Sequence, residues 1–147
     1  MKPPRILWVF ACVMSLLTPC LAHHMAVVVD KDNKVQNVTS AHLAKIFKGE
    51  VKKWADGKNV VLVLHKASGD ETQTLARLTK MTTAELKATI AQRQDSIRTV
   101  DSDAAVIEVV GSTPGAIGLV EERSITDHVT VIKVDGKLPM ESGYLPH

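Results

Sequence analysis

The chain has 147 residues, 45% of them hydrophobic and only 3% aromatic, with 18 Lys+Arg against 16 Asp+Glu and two cysteines. That length suits one domain with a real core. The near balance of charge excludes the basic field of a nucleic-acid binder, and so few aromatics exclude the stacking platforms that sugars and single-stranded nucleic acid need.

Lys2 and Arg5, the apolar stretch Ile6 to Leu17, and then Pro19, Cys20, Leu21 and Ala22 have the layout of a secretory signal peptide, with cleavage expected after Ala22. About 12 apolar residues fall short of the roughly 20 that span a bilayer, which argues against a retained anchor. Pro19 stands where a lipoprotein signal has a small flexible residue, which argues against lipid attachment at Cys20. Removing residues 1–22 takes two basic residues, no acidic ones and both Cys12 and Cys20. The expected product, residues 23–147, is near neutral, free of thiols and periplasmic, and rests on its core instead of disulfides.

Met25 to Val29 is a short β-branched run that predicts a buried strand, and Lys31 to Lys34 a turn. Thr39 or Ser40 can cap a helix carrying Leu43, Ile46 and Phe47 on one face, stopped by Gly49. Asn59 to Leu64 is apolar without alternation, as expected of a strand covered on both faces. A loop from Lys66 to Thr72 leads into a helix with Leu75 and Leu78 facing inward. Thr82 to Glu85 spells a capping box for a third helix bearing Leu86 and Ile90. Ser102 and Asp103 begin a fourth, with Ala105, Val106, Val109 and Val110 buried, ended near Gly111 by the turn Thr113, Pro114, Gly115. Ala116 to Val120 reads as a short strand and Val129 to Val134 as the last one. The tail from about residue 137 is expected to be loosely held. Strands alternating with helices predict a compact three-layer α/β domain.

The string Lys45 to Trp54, with Ile46, Phe47, Gly49 and Trp54 at its fixed points, resembles the segment that opens the second lobe of periplasmic phosphate-binding proteins of ABC transporters. Thr113, Pro114, Gly115, Ala116, Ile117, Gly118, Leu119, Val120 is similar to the segment that closes that lobe, with Leu119 in place of a tyrosine. The resemblance implies a single lobe of a type II periplasmic binding protein, recognising a small oxyanion such as phosphate as an accessory to uptake or sensing. It also implies a second lobe, a homodimer partner or a membrane permease as a partner. Laid on this chain, the family pattern puts Lys66 at the basic position, Asp70 and Glu71 where small residues stand, and Thr72 at the threonine. Ser68 and Gly69 lie just upstream.

Free N–H groups and the positive end of a helix dipole favour an oxyanion at such a loop. Two carboxylates there oppose it, each by about 1 to 4 kcal/mol at effective dielectrics between water and a protein surface. Two readings of the loop therefore stand side by side. In one, Lys66, Ser68, Gly69, Asp70, Glu71 and Thr72 line an anion site. In the other, Ser68 or Asp70 caps the helix and the carboxylates complement its positive end, in a scaffold module that keeps the lobe and has lost the ligand. A cation at Asp70 and Glu71 is a third, weaker reading.

The remaining residues carry blander assignments. Phe47 and Trp54 are assigned to packing, Lys48, Glu50, Lys52 and Lys53 to a solvated rim or docking edge, and His42 to the surface. His65, next to Lys66, is placed to line the site, and copper at His23 and His24 lacks further ligands by spacing. No pattern for catalysis is present: no Gly-x-Ser-x-Gly elbow, no His-Glu-x-x-His and no Walker-type loop. No cofactor or metal is expected, and the expectation is binding, not catalysis.

Overall fold

The computed structural model describes residues 24–146, so the expected signal peptide and His23 lie outside the described residues. The strands are β1 (Met25–Val29), β2 (Asn37–Val38), β3 (Val61–His65), β4 (Ile97–Val100), β5 (Ala116–Glu121), β6 (Thr130–Val131) and β7 (Lys133–Val134). The α-helices are α1 (Ser40–Lys48), α2 (Gly69–Thr79), α3 (Thr83–Gln92) and α4 (Asp103–Ser112). Five strands make one sheet in the order β4-β3-β5-β1-β6, with β3 parallel to β4 and β5, and β1 antiparallel to β5 and β6.

The unalternating apolar strands are explained by cover on both faces. Val27 and Val29 of β1, Leu62 and Leu64 of β3, and Ile117 and Leu119 of β5 pack on one side with Leu43, Ile46 and Phe47 of α1, Leu75 and Leu78 of α2, and Leu86 of α3. Val28, Val63, Ala116 and Val120 turn the other way, onto Val106, Ile107 and Val110 of α4. The result is the expected three-layer α/β lobe, three helices on one face and one on the other. The α4 layer comes close because of Gly118, where a Cβ would stand 2.8 Å from Val106 Cγ1.

Local signals account for the helix ends. Thr39 caps α1 by accepting the His42 N–H, and Gly49 closes it in the left-handed conformation at φ 80°. Thr82 and Glu85 form both halves of the expected capping box on α3, and Ser102 caps α4.

Two expectations are corrected and one strand is added. The run Val129 to Val134 is not one strand: Thr130 and Val131 pair with β1, whereas Lys133 and Val134 pair in parallel with β2, a strand too short to stand out in the sequence. The edge strand β4 was not anticipated, because Ile97 is its one buried residue and Arg98 and Thr99 face solvent. The tail is also not loose, since Tyr144 and Leu145 are buried. The Tyr144 hydroxyl accepts from the Val27 N–H at 3.0 Å and donates to the Ile132 carbonyl at 2.8 Å. Ile132 still donates to the Val27 carbonyl at 3.1 Å. The return bond of that pair thus runs through the phenol, which opens the ladder where the last strand splits.

Candidate functional site

The loop of interest leaves the carboxyl end of β3 and enters the amino end of α2. The Lys66 N–H donates to the Val100 carbonyl at 2.9 Å, carrying the β3–β4 ladder one residue further. Ser68 then turns the chain: its N–H bonds the His65 carbonyl at 3.1 Å, and its Oγ accepts the Glu71 N–H at 3.1 Å as the α2 cap. Thr72 spends its hydroxyl on the Ser68 carbonyl at 2.9 Å. The capping reading of Ser68 is therefore realised, and of the two hydroxyls expected to face an anion Thr72 gives its proton to the loop itself, whereas Ser68 acts there as an acceptor.

Asp70 and Glu71 part company. Asp70 is exposed, whereas Glu71 is only 2% exposed and turns back toward β3, where its Oε2 accepts the His65 N–H at 3.0 Å. Consecutive helical residues point about 100° apart, so one carboxylate faces water while the next enters the core. Burial pushes the Glu71 carboxyl well above the usual carboxylate range; the His65 N–H pulls it down by less, and the negative charge of Asp103 raises it further. Glu71 is thereby shifted toward its protonated form, which weakens the repulsion expected of two carboxylates. The two carboxyl groups do not converge on a cation, and no group of three or more His, Cys, Asp or Glu suited to a metal occurs among the described residues.

His65 and Asp103 brace this end of the sheet. The Asp103 Oδ1 lies 2.9 Å from His65 Nδ1, and its Oδ2 accepts the Glu121 N–H at 2.9 Å. A carboxylate only accepts, so the proton of the first bond sits on Nδ1. One aspartate at the start of α4 thus ties the ends of β3 and β5 together.

Beside the loop lies a cavity of about 330 Å³, lined by Leu64, His65, Lys66, Glu71, Thr72, Leu75, Leu86, Lys87, Ile90 and Thr99. Of the anticipated site residues it gathers Lys66, Glu71 and Thr72, with His65 beside them; Ser68, Gly69 and Asp70 stay on the loop outside it. Gly69 is exposed, with nothing within 4 Å of where a Cβ would sit. Sequence reasoning missed Lys87 and Thr99, which reach the cavity from α3 and β4, and the bracing Asp103. A wider groove of about 570 Å³ at the far end of α2 is lined by Lys45, Lys48, Arg77 and Lys80 among others. The buried Thr79 that lines it donates to the Leu75 carbonyl at 2.6 Å.

The family strings meet in space. The Trp54 indole N–H donates to the Gly115 carbonyl at 2.8 Å, and the Gly115 N–H donates to the buried Asp30 carboxylate at 3.0 Å. No helix among the described residues is long and apolar enough to cross a membrane.

Known proteins resemble this chain in sequence and fold. A family model described as a PBP superfamily domain covers residues 18–139. The phosphate-binding protein PstS of Bacillus subtilis (strain 168) is 29% identical over 123 residues, which cover 78% of this chain and 37% of that protein. PstS from Borrelia burgdorferi superposes with a TM-score of 0.64 at 25% identity, over 80% of this chain and 49% of that one. A putative phosphate ABC transporter substrate-binding protein from Clostridium perfringens, solved with bound phosphate, gives 0.66 at 20% identity, over 79% and 46%. The chain therefore spans about half the length of the solved structures it matches, and less of the curated relative. The match across most of its length and the shared lobe architecture make this chain a member of the PBP superfamily.

Proposed function

We propose that this chain is a periplasmic solute-binding lobe that takes a small oxyanion, phosphate first, at the Lys66–Thr72 loop, and that it acts in binding for ABC-type uptake or sensing and not in catalysis. The observation that carries the proposal is the inward turn of Glu71: a carboxyl that would repel an anion from the loop is only 2% exposed and is held on the His65 N–H instead, and burial raises its pKa. Lys66 and the exposed Gly69 then remain at the positive end of an eleven-residue helix, where a charge-assisted bond and the helix dipole favour an oxyanion. A lone lobe leaves its ligand wet on one side, so tight binding calls for an opposite wall, from a second lobe, a second copy or a permease.

Calorimetric titration of the protein with inorganic phosphate tests the proposal. Binding that weakens at least tenfold in Lys66→Ala is the expected result, and no heat at millimolar phosphate overturns it. The Thr72 hydroxyl, whose proton goes to the Ser68 carbonyl inside the loop, favours a second reading, a module that keeps the lobe and binds a protein instead. A stable partner that covers the Asp70 loop, with no phosphate heat, is the outcome that selects it.

A further inference from the structure

The cavity beside the loop has two unlike sides. Leu64, Leu75 and Leu86 are buried core side chains, and Ile90 is half-buried against them. Lys66 and Lys87 are exposed at its rim. Glu71 joins the two: Oε2 is held by His65, while the buried Oε1 has no hydrogen-bond partner. A buried polar atom without a partner is an uncompensated loss that a ligand group can restore.

The size and lining do not suit an inorganic ion alone. A volume of about 330 Å³ is roughly eleven times the share of a liquid water molecule, about 30 Å³. Phosphate is polar over its whole surface, and leucine side chains offer its oxygens no donors. Pockets walled by apolar side chains with a few polar groups suit ligands built the same way.

We propose that the cavity takes an oxyanion carrying an apolar substituent, of the organophosphonate or phosphate-monoester kind. Its substituent lies on Leu64, Leu75, Leu86 and Ile90, its head sits at the rim bearing Lys66 and Lys87, and Glu71 Oε1 bonds a hydroxyl or head-group oxygen. The inference rests on the oxyanion reading of the loop and narrows its ligand class. Held toward its protonated form, Glu71 can donate from Oε1 to a head-group oxygen, which a carboxylate cannot do.

Calorimetry of the protein with inorganic phosphate, methylphosphonate and phenylphosphonate tests it. Affinity is expected to rise in that order, by tenfold or more from first to last, since each buried methylene contributes about fourfold. Ile90→Trp, which fills the cavity from α3, brings the ratio of phenylphosphonate to phosphate affinity close to one. Ile90→Gln, which keeps roughly the size and makes one side of the apolar wall polar, lowers the ratio without added bulk. Phosphate bound as tightly as phenylphosphonate overturns the inference and leaves the oxyanion reading intact. A preference that survives both Ile90 variants also overturns it, and no binding of any of the three at millimolar concentration overturns both.

Discussion

The Trp54 indole donates a hydrogen bond to the Gly115 carbonyl, 2.8 Å away across 61 residues of sequence, and that carbonyl also accepts the Val61 N–H at 3.1 Å. The two strings that carry the family resemblance are thus one physical unit, an indole locking the turn that launches β5. Gly115 stands at φ 81°, where a Cβ would come 2.1 Å from the Asn59 carbonyl oxygen, and both its backbone polar groups are tied down. The turn cannot yield to a side chain.

Gly115→Ala is therefore expected to cost about 3 kcal/mol or more, from left-handed strain plus a backbone clash. Trp54→Phe removes one of two donors to a carbonyl that keeps the other, and is expected to cost about 1 kcal/mol for the bond, with a further loss for the smaller ring. Urea denaturation checks the order: both midpoints fall, the glycine variant further, with the slope unchanged.

Glu71 makes stability depend on pH in a stated direction. Its folded pKa is raised well above the ordinary 4.5, so the native state holds a proton that the unfolded chain releases. The sign follows: its contribution is fully present below about pH 4.5 and is lost as pH rises through the folded pKa. Glu71→Gln keeps an oxygen for the His65 N–H and carries no titrating group. It is expected to be more stable than the parent at neutral pH and to lose that advantage as pH falls toward 4.5, by denaturation midpoints across that range.

The two neighbouring carboxylates should separate in binding assays as they do in space. Asp70 is exposed on the loop, so Asp70→Asn, which removes a carboxyl group there, is expected to raise phosphate affinity by up to about fivefold, the worth of roughly 1 kcal/mol between unit charges in water. The gain fades in about 1 M salt, where screening reaches only about 3 Å. Glu71→Gln at neutral pH is expected to change affinity less than Asp70→Asn does. Calorimetry at two salt concentrations distinguishes them.

Much of this lobe was legible in the sequence because its signals are local. Thr39 with Gly49, Thr82 with Glu85, and the unalternating runs of β1, β3 and β5 each carry their own reason. What escaped depends on distant chain. The strand β4 has one buried apolar residue and is held by its pairing with β3. At the site, Lys66 and Thr72 could be placed by order along the loop. The inward turn of Glu71 could not, because it depends on the His65 N–H to which the carboxylate turns back and on the burial around it. Lys87 and Thr99 belong to other elements and reach the cavity only through packing.

Tyr144 gives the test of the tail. The phenol is the chain's one tyrosine, and burial pushes its hydroxyl up to about 12, against a smaller pull from the Val27 N–H. Because the folded state keeps this proton longer, its contribution holds below about pH 10 and is lost as pH rises toward about 12. Phenolate absorbance is thus expected to appear together with alkaline unfolding instead of before it. Tyr144→Phe keeps the ring in its buried place and removes the hydroxyl that relays Val27 to Ile132. The cost is about 2 kcal/mol, since a buried N–H and a buried carbonyl each lose a partner. Hydrogen exchange locates it: the Val27 amide should lose protection in the variant beyond the global change. Unchanged protection there would mean that Val27 and Ile132 close the ladder directly, and that the phenol only occupies a gap the strands can shut for themselves.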